Sequence, residues 1–260
     1  MEFSEEQYFA QTYDAFVKDW DGEIEFYREL AAPFATGKGS LLEIGSGTGR
    51  VAIQLAKMGV EVVGIDLSAH MIAIAHAKSD GMTNIRWVQA DMRQFDLDEI
   101  FDLAIIPGHA FQFMLTGEAQ MECLGSIRRH LKDAARLVIH LDHQDLGWLG
   151  SLPRQAGEIY EEAQRFTHPQ TGRLVRTWRA WSYEPSTQTA TSMSRWEETG
   201  EAGQVFQSGG RGPIQLHCAF RFEMEHLLAR AGFETLALYG DFHKGALRDD
   251  SSEMIWVVRK

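Results

Sequence analysis

The sequence predicts an α/β fold with a doubly wound, mostly parallel sheet. Short apolar runs alternate with helical patterns between about residues 40 and 143, a glycine-rich turn follows the first run, and an aspartate follows each of the next two. Strands that alternate with helices form βαβ units, in which the strands are parallel and the crossovers right-handed. Because ligands of such sheets bind beyond the carboxyl ends of the strands, the residues that follow each run are the candidates for a site.

Five strands and three helices are predicted in this first part of the chain. The apolar runs that predict strands are Leu41–Ile44, Val60–Ile65, Ile85–Val88, Phe101–Ile106 and Arg136–Leu141. Helical spacing of apolar residues predicts helices over Arg50–Met58, Ala69–Lys78 and Gln120–Leu131. Each helix has an apolar face of the kind that packs on a sheet.

The pattern changes between residues 151 and 217, where no helical period appears. Turn-like clusters separate extended segments at Glu158–Phe166, Arg173–Tyr183, Thr187–Glu197 and Val205–Phe206. This alternation of short strands and turns predicts an antiparallel sheet inserted into the α/β domain.

The C-terminal part returns to the α/β pattern. Met224 and Leu228 have helical spacing up to Gly232, and Phe233–Tyr239 and Glu253–Val258 follow as strands. These two strands are too close for a helical crossover, so they are predicted to pair antiparallel and to complete a seven-stranded sheet. The predicted divisions are a helical lid segment at 1–39, the main domain at 40–150 and 218–260, and an inserted lid or substrate subdomain at 151–217.

Composition narrows the class of function. The 260 residues carry a formal net charge of -12, which disfavours a general nucleic-acid surface, and 44% of them are hydrophobic, as in a globular protein. Two cysteines are too few for a disulfide framework. No signal peptide and no apolar run of membrane-spanning length are recognised. We therefore expect a soluble cytoplasmic protein, monomeric or homodimeric, with a small-molecule partner and with neither nucleic acid nor membrane as partner.

The strongest single signal is the turn in Leu41–Arg50, which reads LLEIGSGTGR. Glycines let the backbone approach a ligand, and the free N–H groups at the start of a helix favour an anion. A nicotinamide enzyme prefers G-x-G-x-x-G, which needs glycine at position 50, where this chain has Arg50. Such a turn alone is a weak indicator, so a nicotinamide-dependent oxidoreductase stays open.

Two aspartates strengthen the interpretation of a nucleotide-like ligand. Asp66 follows the second strand, where a carboxylate can accept hydrogen bonds from both ribose hydroxyls. Asp91 follows the third strand, where a carboxylate can accept from an adenine amino group. The alternative for each is the side-chain cap of a following helix.

At these residues the chain resembles class I S-adenosylmethionine-dependent methyltransferases, which have a Rossmann-like fold. Leu41–Arg50 is similar to their first motif, Val63–Ser68 with Met71 to the second, and Val88–Met92 to the third. Arg129–Leu137 resembles the stretch that enters the fifth strand, usually written HLKPGG. This chain has Asp, Ala and Ala in place of the proline and the two glycines, so the turn geometry there is in question.

The resemblance implies the cofactor S-adenosyl-L-methionine, with S-adenosyl-L-homocysteine as product. It also implies a set of cofactor-binding residues along the strand ends: Glu43, Gly45, Ser46 and Gly47 near the methionine moiety, Asp66 at the ribose, Leu67, Met71, Asp91 and Met92 at the adenine, and Pro107 near the sulfonium. In the same family an N-terminal segment folds over the cofactor, and Tyr8 and Tyr13 resemble it. Alternatively, these tyrosines pack a helix on the domain.

Methyl transfer from a sulfonium is an in-line displacement, which needs a base only when the acceptor must lose a proton. His109, just past the fourth strand, is the first candidate for such a base, unless it only bonds the loop backbone. Strand alternation puts His140 and Asp142 on one face and His143 on the other. Asp142 and His143 are predicted to orient the acceptor, and no metal is predicted because these three side chains do not converge.

The inserted segment carries two further sets of side chains. Trp178, Trp181, Tyr183 and Trp196 either wall a pocket or form the core of the insert. Arg173, Arg176, Arg179 and Arg211 either bind an anion or solvate the strands. The leading hypothesis is a methyltransferase that acts on a nitrogen or oxygen atom of a small molecule. The alternatives are the oxidoreductase and a non-catalytic S-adenosylmethionine-binding protein.

Overall fold

The computed structural model describes residues 4–35, 37–155, 157 and 159–260, which form two compact units. The larger unit comprises Asp19–Gln144 and Ala219–Lys260, and the smaller comprises Met1–Lys18 and Asp145–Cys218. Glu158, where the first strand of the insert was predicted to begin, lies outside the described residues. The predicted division at residues 39, 150 and 217 stays a prediction.

Strands and helices alternate along the larger unit as predicted. In chain order the strands are β1 (Ser40–Ile44), β2 (Glu61–Asp66), β3 (Ile85–Gln89), β4 (Phe101–Ile106), β5 (Leu131–Asp142), β6 (Glu161–Thr167), β7 (Leu174–Glu184), β8 (Thr189–Thr199), β9 (Val205–His217), β10 (Glu234–Tyr239) and β11 (Glu253–Arg259). The helices are α1 (Glu5–Phe16), α2 (Glu23–Ala31), α3 (Ala52–Ala56), α4 (Ala69–Lys78), α5 (Gly117–Arg129), α6 (Leu146–Ser151) and α7 (Arg221–Arg230). None of the described helices is both long enough and apolar enough to cross a bilayer.

The main sheet has seven strands in the order β10-β11-β5-β4-β1-β2-β3. The five strands from β1 to β5 are parallel, whereas β11 pairs antiparallel with both β5 and β10. This confirms the predicted fold class, including the antiparallel C-terminal pair. The chain leaves β1 toward β2 but reaches β4 on the other side of β1, so the strand order reverses at the carboxyl end of β1. In sheets of this kind, the ligand binds at such a point.

Several boundaries differ from the prediction, and three of the differences have a local explanation. The helix predicted from Arg50 begins at Ala52, since the residues before it still belong to the glycine turn. Strand β5 begins at Leu131 and not at Arg136, so the stretch that resembles HLKPGG is extended, with Ala134 at a φ of 62°. Strand β9 continues to His217, and the glycines and the proline within it hide this strand from pattern analysis.

Both faces of the main sheet are covered, as expected for parallel strands. On one face, Leu42 and Ile44 of β1 pack in a core with residues of α5 and α7, including Leu124 and Met224. On the other face, the core is formed with α2, α3 and α4: Phe26, Tyr27, Leu41, Ile53 and Ile72. The strands β1 and β4 therefore contribute apolar side chains to both cores.

The smaller unit is an antiparallel sheet in the order β6-β7-β8-β9, with α1 on one face. Tyr8 of α1 stacks on Trp196 of β8 with ring centroids 3.7 Å apart, and Phe16 meets Phe166 of β6 at 5.5 Å. The antiparallel insert is thus confirmed as a sheet, and α1 forms part of the same unit.

Trp87 of β3 depends on two glycines for its place in the core. A Cβ on Gly64 would lie 2.4 Å from Cζ3 of this indole, and one on Gly49 would lie 2.5 Å from its Cη2. The indole N–H donates to Ser79 Oγ at 2.9 Å, which prevents the ring from moving aside without loss of a buried hydrogen bond.

We predict that Gly64→Ala lowers the free energy of unfolding by about 1–3 kcal/mol, because the new methyl group overpacks Trp87. Urea unfolding of the apoprotein measures this change. Gly117→Ala is the matched control: a Cβ there meets nothing within 4 Å and the residue begins α5, so we expect unchanged or slightly higher stability. Equal stabilities of the two variants would contradict the close packing.

Candidate active site

The turn after β1 needs glycine because its backbone is left-handed. Gly45, Gly47 and Gly49 have φ values of 68°, 54° and 76°, a region that other residues adopt only with strain. Ser46 N–H donates to the carbonyl of Ile65 at 2.9 Å, which attaches the turn to β2. A Cβ on Gly45 would lie 2.6 Å from Ala110 Cβ, so the turn also packs against the loop after β4.

Asp66 at the end of β2 holds this turn in place. Its Oδ2 accepts from Gly47 N–H and its Oδ1 from Ser68 N–H, both at 2.8 Å. Burial raises the pKa of Asp66, and these backbone donors oppose that rise. The side-chain cap of α4 is Ser68, which accepts from Met71 N–H at 3.4 Å, so Asp66 does not have the capping role that was its alternative.

Two buried polar atoms beside the turn have no hydrogen-bond partner among the described residues. They are Oε2 of Glu43 and Oγ of Ser46. Burial raises the pKa of Glu43 to about 8, although Arg50 opposes that shift. Orphaned buried polar atoms require an explanation, and a polar ligand over the turn supplies one. The position that a Cβ on Gly47 would take has open space around it.

The remaining predicted cofactor residues lie at neighbouring strand ends. Asp91 follows β3 and forms an ion pair with Arg93, Nη2 to Oδ2 at 2.6 Å, which lowers the pKa of Asp91. No helix begins there, so the capping alternative fails for Asp91 as well. Leu67 is exposed, whereas Met71 and Pro107 are buried and Met92 packs against the core.

Tyr13 lies in the smaller unit, on α1. Its ring makes edge contacts with Phe9 and Phe16, with centroids 5.5 and 5.8 Å away. These contacts lie within α1 itself, so packing of the helix on the domain stays a prediction for Tyr13. A role of Tyr13 over the cofactor stays a prediction.

Arg50, singled out only as a missing glycine, is the centre of an ion-pair group. Its Nη2 donates to Glu23 Oε1 at 2.9 Å and its Nη1 to Asp19 Oδ1 at 2.6 Å, while Trp20 lies under the guanidinium at 5.5 Å. Burial opposes the charge, but the bonds to Glu23 and Asp19 outweigh it and raise the pKa of Arg50. This arginine links the turn before α3 to Asp19 and to the first residue of α2.

A second group of side chains, here called the His–Glu cluster, consists of His109, His140, Asp142 and Glu253. Oε2 of Glu253 lies 2.8 Å from His109 Nε2 and 2.6 Å from His140 Nε2. His109 Nδ1 lies 3.2 Å from Asp142 Oδ1. The cluster lies beyond the carboxyl ends of β4 and β5, and Trp20 covers both imidazoles, with ring centroids about 5 Å away.

The pKa values of the two histidines of the cluster shift in opposite directions. Burial lowers the pKa of His140 to about 4, so it is neutral at neutral pH. Burial also opposes protonation of His109, but the bond to Glu253 and the charge of Asp142 outweigh it and raise the pKa of His109. Burial would raise the pKa of Glu253, yet its bonds to both histidines lower it to about 2. Glu253 is therefore a carboxylate.

Glu253 was not identified from the sequence, since it lies far from the motifs along the chain. In the sheet, β11 pairs with β5 and places Glu253 directly opposite Asp142. The signal that pointed to it was weak: a carboxylate at the start of an otherwise apolar strand. His143 is outside the cluster, with its Nδ1 2.9 Å from the carbonyl of Ser251.

His109, His140 and Glu253 present ligand-type atoms within 4.8 Å of one another, a grouping that can hold a metal ion. Gly108 N–H points at His140 Nδ1 at a distance of 3.3 Å. A histidine that accepts at Nδ1 carries its proton on Nε2, which then donates to Glu253 and has no lone pair for a metal. The contacts fit a hydrogen-bonded group better than a metal site.

The comparisons with known proteins agree with this fold. Residues 41–134 match the family described as a methyltransferase domain. Over 102 residues the chain is 36% identical to the putative methyltransferase YqeM of Bacillus subtilis (strain 168). This alignment covers 39% of the chain and 41% of that protein, so it concerns the domain and not the whole protein.

Solved structures show the same fold over nearly the whole chain. The CcbJ methyltransferase from Streptomyces caelestis has a TM-score of 0.77 at 21% identity, with 99% of both chains covered. CalS10, an amino pentose methyltransferase from Micromonospora echinaspora solved with SAM bound, has a TM-score of 0.69 at 22% identity, and the match covers 100% of this chain and 98% of that one.

We predict that Glu43→Gln stabilises the apoprotein in a pH-dependent manner. The folded-state pKa is about 8, above the ordinary 4.5, so ionisation costs stability increasingly as pH rises from 4.5 toward 8. Glutamine removes this cost, so the gain is near zero at about pH 4.5 and on the order of 3 kcal/mol near neutral pH. Urea unfolding at both pH values measures it.

The control for this prediction is Glu122→Gln, which makes the same change at an exposed position of α5. We expect no pH-dependent gain for it. A gain for Glu43→Gln that is equal at both pH values would contradict a neutral carboxyl at this position.

Proposed function

Because the chain carries a methyltransferase domain on the class I fold, we propose that it moves a methyl group from S-adenosyl-L-methionine to a nitrogen or oxygen atom of a small-molecule acceptor. The observation that carries the proposal is the bond from Gly47 N–H to Asp66, which joins the glycine turn to the next strand end. The orphaned atoms of Glu43 and Ser46 beside it support a polar ligand there. The amino pentose methyltransferase CalS10 supports an amine-bearing acceptor.

Each strand end has its own part in cofactor binding under this proposal. Ser46 Oγ, which has no partner among the described residues, meets the polar methionine moiety, and Asp66 has unused lone pairs for the ribose hydroxyls. Glu43, Leu67, Met71, Asp91, Met92, Pro107 and Tyr13 complete the proposed set. The bound cofactor supplies a methyl group on a sulfonium, whose departure as a thioether needs no acid.

His109 is the proposed base for an acceptor that must lose a proton. Glu253 holds Nε2–H of the imidazole, so Nδ1 is the atom that takes the proton in the neutral tautomer. Asp142, 3.2 Å from Nδ1, then stabilises the charge that results. Asp142 is half exposed, and we propose that it and His143 orient the acceptor. The acidic composition favours a small molecule over nucleic acid as the acceptor, and the proposed location is the cytoplasm.

The cofactor is tested by calorimetry with S-adenosyl-L-methionine, S-adenosyl-L-homocysteine and NADH. We expect the first two to bind and NADH not to bind, and we expect Asp66→Ala to weaken binding at least about tenfold, since it removes charge-assisted bonds. Asp80→Ala, at an exposed position after α4, is the control and should bind as the native chain does. Binding of NADH without S-adenosyl-L-methionine would show that the chain is an oxidoreductase.

The charge state of His109 is tested by histidine NMR titration and by kcat/KM for an amine acceptor found in a compound screen. Both midpoints should lie above the ordinary 6.5, because Glu253 and Asp142 favour the charged form. Activity should rise with pH through that midpoint as His109 becomes neutral. Glu253→Gln removes one negative charge, so its midpoint should fall by about 1 pH unit or more.

Glu234→Gln on β10, an exposed carboxylate paired with Arg259, should leave both midpoints unchanged. A normal NMR midpoint for His109 would contradict its pairing with Glu253. An elevated NMR midpoint combined with a flat kcat/KM profile would keep the pairing and contradict the role as base. If no amine or hydroxyl compound is methylated, a non-catalytic binding protein is favoured.

A further inference from the structure

A pocket lies within the smaller unit, between α1 and the sheet face that this helix covers. Phe9 and Phe16 line it from the helix, and Phe166 lines it from β6. Arg179, Ser194 and Arg211 line it from β7, β8 and β9. All of these residues belong to the same compact unit, so the pocket is internal to it.

Two of the three arginines that line this pocket, Arg179 and Arg211, stand in one row across the sheet, and the third is Arg195. Arg179 pairs in register with Ser194, and Ser194 pairs in register with Arg211. Residues directly opposite each other in antiparallel strands share a face, so both guanidinium groups leave the sheet on the side of α1. The Ser194 hydroxyl lies between them.

The other two arginines of the insert have carboxylate partners. Arg173 Nη1 lies 3.2 Å from Glu198 Oε1, and Arg176 Nη2 lies 2.9 Å from Glu162 Oε2. In the described part of the chain, neither Arg179 nor Arg211 has a carboxylate oxygen within 4.0 Å. The sequence left alternatives open for four arginines. Two of them are in ion pairs, and the other two lie in the pocket.

The environment of these two arginines is unfavourable for unpaired charge. Burial lowers the pKa of Arg179, and it lowers the pKa of Arg211 to about 10, with Arg179 contributing to the second shift. The nearest opposing charges on Arg211 are Glu6 and Glu5 in the first turn of α1, which act at longer range. An anion between the guanidinium groups would relieve both costs.

Part of the pocket is aromatic, and its polar lining also includes Glu5, Thr12, Gln164 and Thr177. Arg211 Cζ lies 3.3 Å from the ring centroid of Phe9, and Phe16 has neighbours at 5.5 Å in both Phe9 and Phe166. A guanidinium stacked on a ring has a fixed plane, so its outer N–H groups are presented in a defined direction. The aromatic side chains leave an apolar wall beside the two cations.

We propose that this pocket binds the oxyanion of an amphiphilic small molecule, a carboxylate or phosphate monoester on an aromatic or apolar body. Arg179 and Arg211 hold the oxyanion from two sides across Ser194, and the phenylalanines contact the body of the ligand. Guanidinium groups bind both anion types through paired N–H donors. The proposal concerns binding alone, so it stands or falls independently of methyl transfer.

The test is calorimetric titration of the full chain with phenyl phosphate, benzoate and inorganic phosphate. We expect phenyl phosphate to bind more tightly than inorganic phosphate, because only the former contacts the aromatic wall. Benzoate separates the carboxylate from the phosphate as the natural group. Arg179→Gln and Arg211→Gln should each weaken phenyl phosphate binding about tenfold or more, since each removes a charged donor.

Arg176→Gln is the matched control, since it removes the same charge from the same strand where the arginine is already paired with Glu162. It should leave phenyl phosphate binding unchanged. Arg211→Lys keeps the charge without the planar fork, so it should bind at an intermediate level and shows that a loss in Arg211→Gln is not misfolding. Absence of binding for both phenyl phosphate and benzoate, or equal losses in Arg176→Gln and Arg179→Gln, would overturn the proposal.

Discussion

The hydrogen bond from Gly47 N–H to Asp66 is the contact on which the candidate cofactor site depends. It joins the turn after β1 to the end of β2, and it forms only if the backbone at Gly47 is left-handed. Parallel pairing of β1 and β2 brings the two groups to one edge of the sheet. The same geometry leaves Ser46 and Glu43 buried beside the turn with unpaired oxygens, where a polar ligand can meet them.

Two buried carboxyl groups of the larger unit are in opposite charge states. Around the turn, the carboxyl of Glu43 is held neutral by burial, whereas Glu253 is held charged by two histidines. Each state follows from the balance between burial and the hydrogen bonds and charges around the carboxylate. A carboxylate that fixes one nitrogen of His109 leaves the other, beside Asp142, as the atom that takes a proton in the proposed role as base.

The net charge of -12 is a sum over the whole chain and does not describe how the charges are distributed. The arginines at positions 50, 173 and 176 form ion pairs with carboxylates, whereas Arg179 and Arg211 have aromatic rings as neighbours. Composition excludes a broad basic surface, and it says nothing about two cations in one pocket. The helix and the sheet of the smaller unit together line a pocket that has both polar and apolar side chains.

The sequence by itself determined the fold class, the strand ends of the cofactor site and the turn glycines. These depend on local period and on backbone angles that only glycine tolerates, and Asp66 was found because it follows directly after an apolar run. Only the tertiary structure decided that Glu253 meets His109 and that, within the described residues, Arg179 and Arg211 have no carboxylate partner. The physical reason is register: strand order and pairing bring together residues far apart in the chain, and no local pattern records which side chains then become neighbours.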